Sequence, residues 1–265
     1  AIADPQVNTS VLDAMRREFS IHVGSAATVQ EKGAALEVTA AGTAVEVDAV
    51  LAALGTRPAL DGLGLENLDV ERDKNGVPAF DRHTMRLGDL PVYIAGDANG
   101  DRPILHEAAD EGFAAGCNAP TLGKCRFQRR TAMRIIFSDP QIAAVGETVH
   151  DMEKDSYVVG EASYTSQGRA RVEMHNTGLV RIYADRASGR IRGAEMFAPA
   201  AEHFAHLFGL AMEHGLTVTQ MLEAPFYHPT FEEGIQTALS DAAHKLGLSS
   251  KEHRLCESCS EEPLR

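Results

Sequence analysis

The chain has 265 residues, 44% of them hydrophobic and 24% charged, an ordinary composition for a globular protein of one or two domains. Its formal net charge of −13 argues against nucleic acid or an anionic membrane surface as the main partner, and no apolar run approaches the length of a membrane span. Four cysteines are too few and too scattered for a disulfide framework, so a reducing cytoplasm is the expected setting.

The opening Ala-Ile-Ala-Asp-Pro is neither an initiator methionine nor a basic leader, and the chain is expected to begin inside a larger protein. Residues 10–19 read as a short amphipathic helix capped by Ser10, with Val11, Met15 and Phe19 on one face. Two strands, Ala35–Thr39 and Val45–Leu54, flank the turn residues Ala41-Gly42-Thr43 as a hairpin. The second becomes a nearly continuous apolar run, interrupted only by Asp48, which predicts burial on both faces before Gly55 and Pro58 stop it. Residues 59–90 are glycine-rich and charged, as in loops. Val92–Ala95 then reads as a short buried strand running into Gly96-Asp97-Ala98-Asn99-Gly100-Asp101, with a helix from about Ile104 to Asn118 behind it. A small acidic loop between a strand end and a helix start suits a nucleotide, and it also suits a plain strand–turn–helix link.

After a linker at 119–130 the pattern changes. Strands are expected at Ala132–Phe137, Tyr157–Ser166, Leu179–Ala184 and Arg190–Phe197, and helices at 199–214 and 217–223. The first of these helices carries Phe204, Leu207, Phe208, Ala211 and Met212. Strands followed by helices make an α+β arrangement, distinct from the α/β alternation of the first half. There is no internal repeat.

His228-Pro229-Thr230-Phe231-Glu232-Glu233 concentrates the chemistry. Thr230 followed by Glu233 is a capping-box pattern, and Phe231, Ile235, Ala238, Leu239, Ala242 and Leu246 continue at helical spacing. His228 precedes the cap and projects from the mouth of that helix. One oxygen of Glu233 could accept a backbone N–H and the other an imidazole N–H, the arrangement of a general acid–base histidine. On these residues alone the other reading, a capped helix with an incidental histidine, stays open.

Together these segments resemble the C-terminal part of the pyridine nucleotide–disulfide oxidoreductases, most closely their dihydrolipoamide dehydrogenase-like branch. The resemblance rests on Asp48–Pro58, Val92–Asp97, His106–Gly112, Phe137–Gly146 and His228–Glu233, in the family's order over almost the whole chain. It implies a remnant of a doubly wound NAD-binding domain at 1–58 and a central FAD-contacting domain at 59–129. An α+β dimerisation domain at 130–248 and a flexible tail at 249–265 would follow. Gly96 and Asp97 would contact the ribityl and phosphate part of FAD, and Ile104, Leu105 and His106 would lie beside the flavin ring. His228 would be the acid–base for thiol–disulfide exchange, with Glu233 orienting it, and a homodimer would complete the site.

The implied activity is FAD-dependent oxidation of a protein-bound dihydrolipoyl dithiol, with electrons passing to NAD. A glutathione- or mercuric-reductase-like enzyme using NADPH is the alternative within the class, and a non-catalytic dimerisation module is the alternative outside it. A small disulfide is the other substrate class. The family's Gly-x-Gly-x-x-Gly loops and redox-active cysteine pair do not occur here, so this polypeptide alone is not expected to turn over. Cys117 and Cys125 read as incidental. Cys256 and Cys259 form a C-x-x-C in a polar tail, where one pair cannot complete a four-ligand metal site, and no metal is expected.

Overall fold

A computed structural model describes residues 2–248 of the chain. Asp4 and Pro5 start the first helix, α1 (Pro5–Met15): the Asp4 carboxylate accepts from the amides of Gln6 and Val7, and proline occupies the first turn. The expected helix 10–19 therefore begins five residues early and ends at Met15, and Phe19, expected on its packed face, is exposed. Ser10 lies inside the helix, because the stronger cap signal stands upstream of it.

Within the described residues the chain divides into two units, one made of 2–24 with 131–248 and the other of Ser25–Arg130. The first 24 residues thus group with the C-terminal half and not with 25–58.

Ser25–Arg130 opens with an antiparallel meander, β1 (Thr28–Lys32), β2 (Ala35–Ala40) and β3 (Thr43–Val47). The hairpin across Ala41-Gly42 is present, and β1 is an additional strand whose run of charged and polar residues carries no apolar alternation. The apolar run beyond β3 is not a buried strand: residues 48–60 are irregular, and Leu51 and Leu54 are more than nine-tenths exposed. An apolar run becomes a strand only where a neighbour supplies the ladder, and no described strand pairs with it. Every strand pairing among the described residues is antiparallel, and within 1–58, the expected remnant of a doubly wound domain, the strands are those of this meander. Val92–Ala95 is likewise reduced to a single bridge between Tyr93 and Arg86. The predicted helix is α2 (Leu105–Asn118).

The other unit is built on a five-stranded antiparallel sheet. Its strands are β4 (Met133–Ile136), β5 (Gln141–Gly146), β6 (Tyr157–Ser163), β7 (Leu179–Asp185) and β8 (Ile191–Ala198), in the order β4-β5-β8-β7-β6. β5 has no counterpart among the predicted strands, and it pairs with both β4 and β8. A one-turn helix, α3 (Gly168–Val172), follows β6, and the helices α4 (Ala201–Glu213), α5 (Val218–Leu222) and α6 (Glu233–Lys245) come last.

Strand alternation sorts the two faces. Val145, Val180, Ile182, Ala194 and Met196 pack with Phe204 and Phe208 of α4 and Ile235 and Leu239 of α6 in the main core. Ile142 and Phe197 point the other way, where Val7 and Val11 of α1 cover them. Gly160 lets α6 lie directly on β6, since a Cβ there would collide with the Ala238 carbonyl.

Beneath α1 lies a buried polar cluster. Glu195, 1% exposed, accepts from the amides of Ala3 (2.6 Å) and Asp4 (3.1 Å). The second Asp4 oxygen accepts from Arg181 Nε at 2.8 Å, and the Tyr183 hydroxyl stands 3.0 Å from both carboxylates. Burial, followed by the facing Glu195 and Asp4 charges, pushes the Tyr183 phenol pKa up and holds it as a donor.

The tail expected to be flexible at 249–265, including Cys256 and Cys259, lies outside the described residues. Cys117 is half-buried, Cys125 is exposed, and both are free thiols. Among the described residues, no helix is long and apolar enough to cross a membrane, and no group of three His, Cys, Asp or Glu is placed to hold a metal ion.

Candidate functional site

His228 and Glu233 meet at the start of α6. Imidazole Nδ1 lies 2.8 Å from Glu233 Oε1, while Glu233 Oε2 accepts the Thr230 amide at 3.0 Å. The two oxygens therefore divide between a ring nitrogen and a backbone donor, as the sequence pattern suggested. The capping box itself is only half formed. The Thr230 hydroxyl donates to the Tyr227 carbonyl at 2.7 Å, and the N-cap is Glu232 with the helix beginning at Glu233, two residues later than the pattern placed it.

With Nδ1 facing a carboxylate it carries the proton, which leaves Nε2 as the free lone pair. The His228 side chain is 78% exposed, so that nitrogen is open to an incoming group. The hydrogen bond from His228, followed by the one from Thr230, holds the Glu233 carboxyl below its ordinary pKa. Glu233 is therefore charged at every pH where the histidine could act.

The loop is fixed from beneath by residues that sequence reasoning missed. The Tyr164 hydroxyl donates to the Phe231 carbonyl at 2.8 Å, and Gln167 Nε2 donates to the Thr230 carbonyl at 2.6 Å. Tyr164 is fully buried, and burial raises its phenol pKa, which keeps it a donor. Gly234 makes room for it, since a Cβ there would collide with the Tyr164 ring and hydroxyl. No spacing in the sequence links 164 or 167 to 230. The one local hint is a glycine in the first turn of a helix, where it costs stability unless something packs against it. Beside the loop an apolar groove of about 420 Å³ is lined by Leu207, Leu210, Phe226 and Tyr227. Leu207 and Leu210 of α4 turn outward.

The other predicted residues lie in the unit Ser25–Arg130. Gly96–Asn99 is a single 3-10 turn, entered at Gly96 with φ +67° and left through Gly100 at φ +65°. Both glycines occupy the left-handed region, where other residues are strained. A Cβ on Gly96 would sit 3.1 Å from the Ala108 Cβ, so the turn rests closely on α2. Asp97 is exposed at its crest. α2 starts with Ile104 as N-cap and no side-chain cap, and Leu105 and His106 stand exposed in its first turn. The sequence-predicted residues thus form two local groups, His228 with Glu233 and Gly96–Asp97 with Ile104–His106, in separate units.

Residues 132–239 match the pyridine nucleotide-disulphide oxidoreductase dimerisation domain. That match places residues 132–239 in the pyridine nucleotide–disulfide oxidoreductases. Among curated members of this family the chain is 32% identical over 205 residues to the dihydrolipoyl dehydrogenase of Haloferax volcanii, covering 74% of this chain and 42% of that one. It is 26% identical over 192 residues to the human mitochondrial dihydrolipoyl dehydrogenase, covering 71% and 37%. Of solved structures, LpdA from Mycobacterium tuberculosis superposes with a TM-score of 0.75 at 26% identity, covering 91% of this chain and 53% of that one. The HOCl-induced flavoprotein disulfide reductase RclA from Escherichia coli shares the fold, with a TM-score of 0.75 at 20% identity over 90% and 55%. The chain therefore spans about half the length of the relatives it matches, or less.

Proposed function

We propose that this chain forms the dimerisation and flavin-contacting parts of an FAD-dependent enzyme that oxidises protein-bound dihydrolipoamide and delivers the electrons to NAD. The cysteine pair that exchanges with the dithiol would come from outside this chain. The observation that carries the reading is the His228–Glu233 pair. Glu233 fixes the imidazole with its proton on Nδ1, and the exposed Nε2 takes a proton from the attacking thiol. A thiolate, not a thiol, is the nucleophile in disulfide exchange, and histidine is the side chain that exchanges protons near neutral pH without a perturbed pKa. Gln167 and Tyr164 hold the loop carbonyls so that the ring keeps its place.

FAD, when bound, supplies the two-electron relay between dithiol and nicotinamide. The residues present fit it. Asp97 stands exposed as an acceptor for ribityl hydroxyls on a turn that glycine holds close to α2. The uncapped N-terminus of α2 offers backbone N–H groups and the positive end of the helix dipole to developing negative charge. A homodimer is supported by the match to a dimerisation domain and by the exposed Leu210 and Tyr227 beside His228. The lipoyl substrate is supported by the dihydrolipoyl dehydrogenase relatives.

The test is NAD reduction by dihydrolipoamide, followed at 340 nm with flavin-loaded protein carrying this chain. NADPH-driven reduction of glutathione disulfide or mercuric ion, with no turnover of dihydrolipoamide, would overturn the substrate. A folded, colourless dimer that takes up no flavin would overturn the enzyme reading altogether.

A further inference from the structure

We propose that Glu111, clamped by Arg129, is the positioning residue for the Gly96–Asn99 turn and therefore for Asp97. The proposal rests on the flavin-contacting role assigned to that turn above. Glu111 lies on α2, is 3% exposed and faces inward. Its Oε2 accepts two hydrogen bonds from the turn, the Gly96 amide at 2.7 Å and Asn99 Nδ2 at 2.6 Å. Both ends of the turn that carries Asp97 are therefore tied to one carboxylate oxygen. The other oxygen, Oε1, accepts from Arg129.

That guanidinium is the hub of a larger cluster. Arg129 also meets Glu107 Oε2 at 3.3 Å and Asp101 Oδ2 at 3.3 Å, and it is 18% exposed. Arg102 bonds the remaining oxygen of Glu107 at 2.8 Å, Arg82 bonds that of Asp101 at 2.8 Å, and Asn99 Oδ1 accepts the Asp101 amide at 2.9 Å. An unpaired carboxylate at the burial of Glu111 would be costly. Arg129 offsets that cost, so Glu111 can offer a charged acceptor to the Gly96 amide, and charge-assisted bonds of this kind are the strong ones.

Gly96 explains why such an anchor is needed. A left-handed glycine has the widest backbone freedom of any residue, so a turn entered through it does not fix its own direction. Asp97 follows immediately, and a small rotation at Gly96 would swing its carboxylate away from any partner. Glu111 removes that freedom without itself reaching the crest of the turn.

The substitution that separates positioning from bulk stability is Glu111→Gln. An amide has a single acceptor oxygen, so whichever way it turns, its NH2 confronts a donor, either the Gly96 amide or Arg129. Hydrogen exchange is measured amide by amide on the wild type, on Glu111→Gln and on Arg129→Lys, which keeps the charge and loses the fork. FAD affinity is measured by flavin fluorescence on apoprotein carrying this chain, with Asp97→Asn and the Glu111→Gln/Asp97→Asn double variant included. Exchange at Gly96 is expected to rise about ten-fold in both single variants, the loss of one charge-assisted hydrogen bond, while amides of the meander at 28–47 hold their rates. FAD affinity is expected to fall about ten-fold in Glu111→Gln, with no further loss in the double variant beyond Asp97→Asn alone, because residues acting through one another are not additive. Should Glu111→Gln unfold, Arg129→Lys carries the same two readouts. Unchanged exchange at Gly96, or fully additive losses of FAD affinity, would overturn the positioning role. A wild type that takes up no FAD would overturn the flavin reading instead, and the exchange rates would then decide the role of Glu111 in holding the turn.

Discussion

Replacing Glu233 by glutamine removes the charge and one acceptor from the His228 pair while keeping its size. In the wild type one oxygen holds the imidazole at 2.8 Å and the other the Thr230 amide at 3.0 Å. Glutamine has one acceptor oxygen, so one donor loses its partner and the remaining bond becomes neutral. Water can replace the lost partner at a histidine this exposed. The cost is therefore about 1 kcal/mol, including the lost negative charge in the first turn of α6. In a chain of this size that lowers Tm by about 2–4 °C. The pH dependence has a definite sign. The Glu233 carboxyl is held below its ordinary value of 4.5, so its contribution is complete above that pH and disappears as pH falls through the lowered value. Thermal unfolding of both proteins at pH 7 and in strong acid reads the difference, and 15N NMR of the imidazole reads the tautomer. The expected results are a Tm gap at pH 7 that closes in acid, and a wild-type His228 protonated on Nδ1. Equal Tm values at pH 7, or an Nε2-protonated neutral ring, would refute the assignment of Glu233 as its partner.

Three further substitutions test the frame around the site. Gly234→Ala gains helix propensity but drives a methyl into Tyr164, so a net loss of about 1–3 kcal/mol is expected by chemical denaturation, together with an altered His228 NMR signal. Tyr183→Phe takes the hydroxyl from between the buried Asp4 and Glu195, with an expected cost of about 1–3 kcal/mol and faster amide exchange along α1; unchanged exchange in α1 would show that the helix is held by other contacts. Gly160→Ala forces α6 away from β6, and a loss of stability below about 1 kcal/mol would mean the two elements are not in the close contact described.

Much of the dimerisation domain was legible because its strands and helices keep their periods over long runs. α4 and α6 follow the spacing of Phe204, Phe208, Ile235 and Leu239, and the turn at Asp185–Gly189 separates β7 from β8. β5 escaped because Gln141–Gly146 is short, small-residued and central, and its alternation shows only against β4 and β8. The apolar run ending at Leu54 misled for the opposite reason. Hydrophobicity predicts burial only where a neighbour is present to bury against, and none of the described strands is. At the site, the contact between His228 and Glu233 was readable from a five-residue spacing and the two oxygens of a carboxylate. The supports from Tyr164 and Gln167, and the tie from Glu111 to Gly96, join residues distant in sequence and became visible only in three dimensions.

The most direct test of the acid–base claim is rapid mixing of flavin-loaded protein with dihydrolipoamide, comparing the wild type with His228→Gln. The account predicts that reduction of the flavin slows by about 10²–10⁴-fold in the variant, the range for loss of a positioned general base, while flavin content and dimer mass stay unchanged. An unchanged rate of flavin reduction in His228→Gln would contradict it.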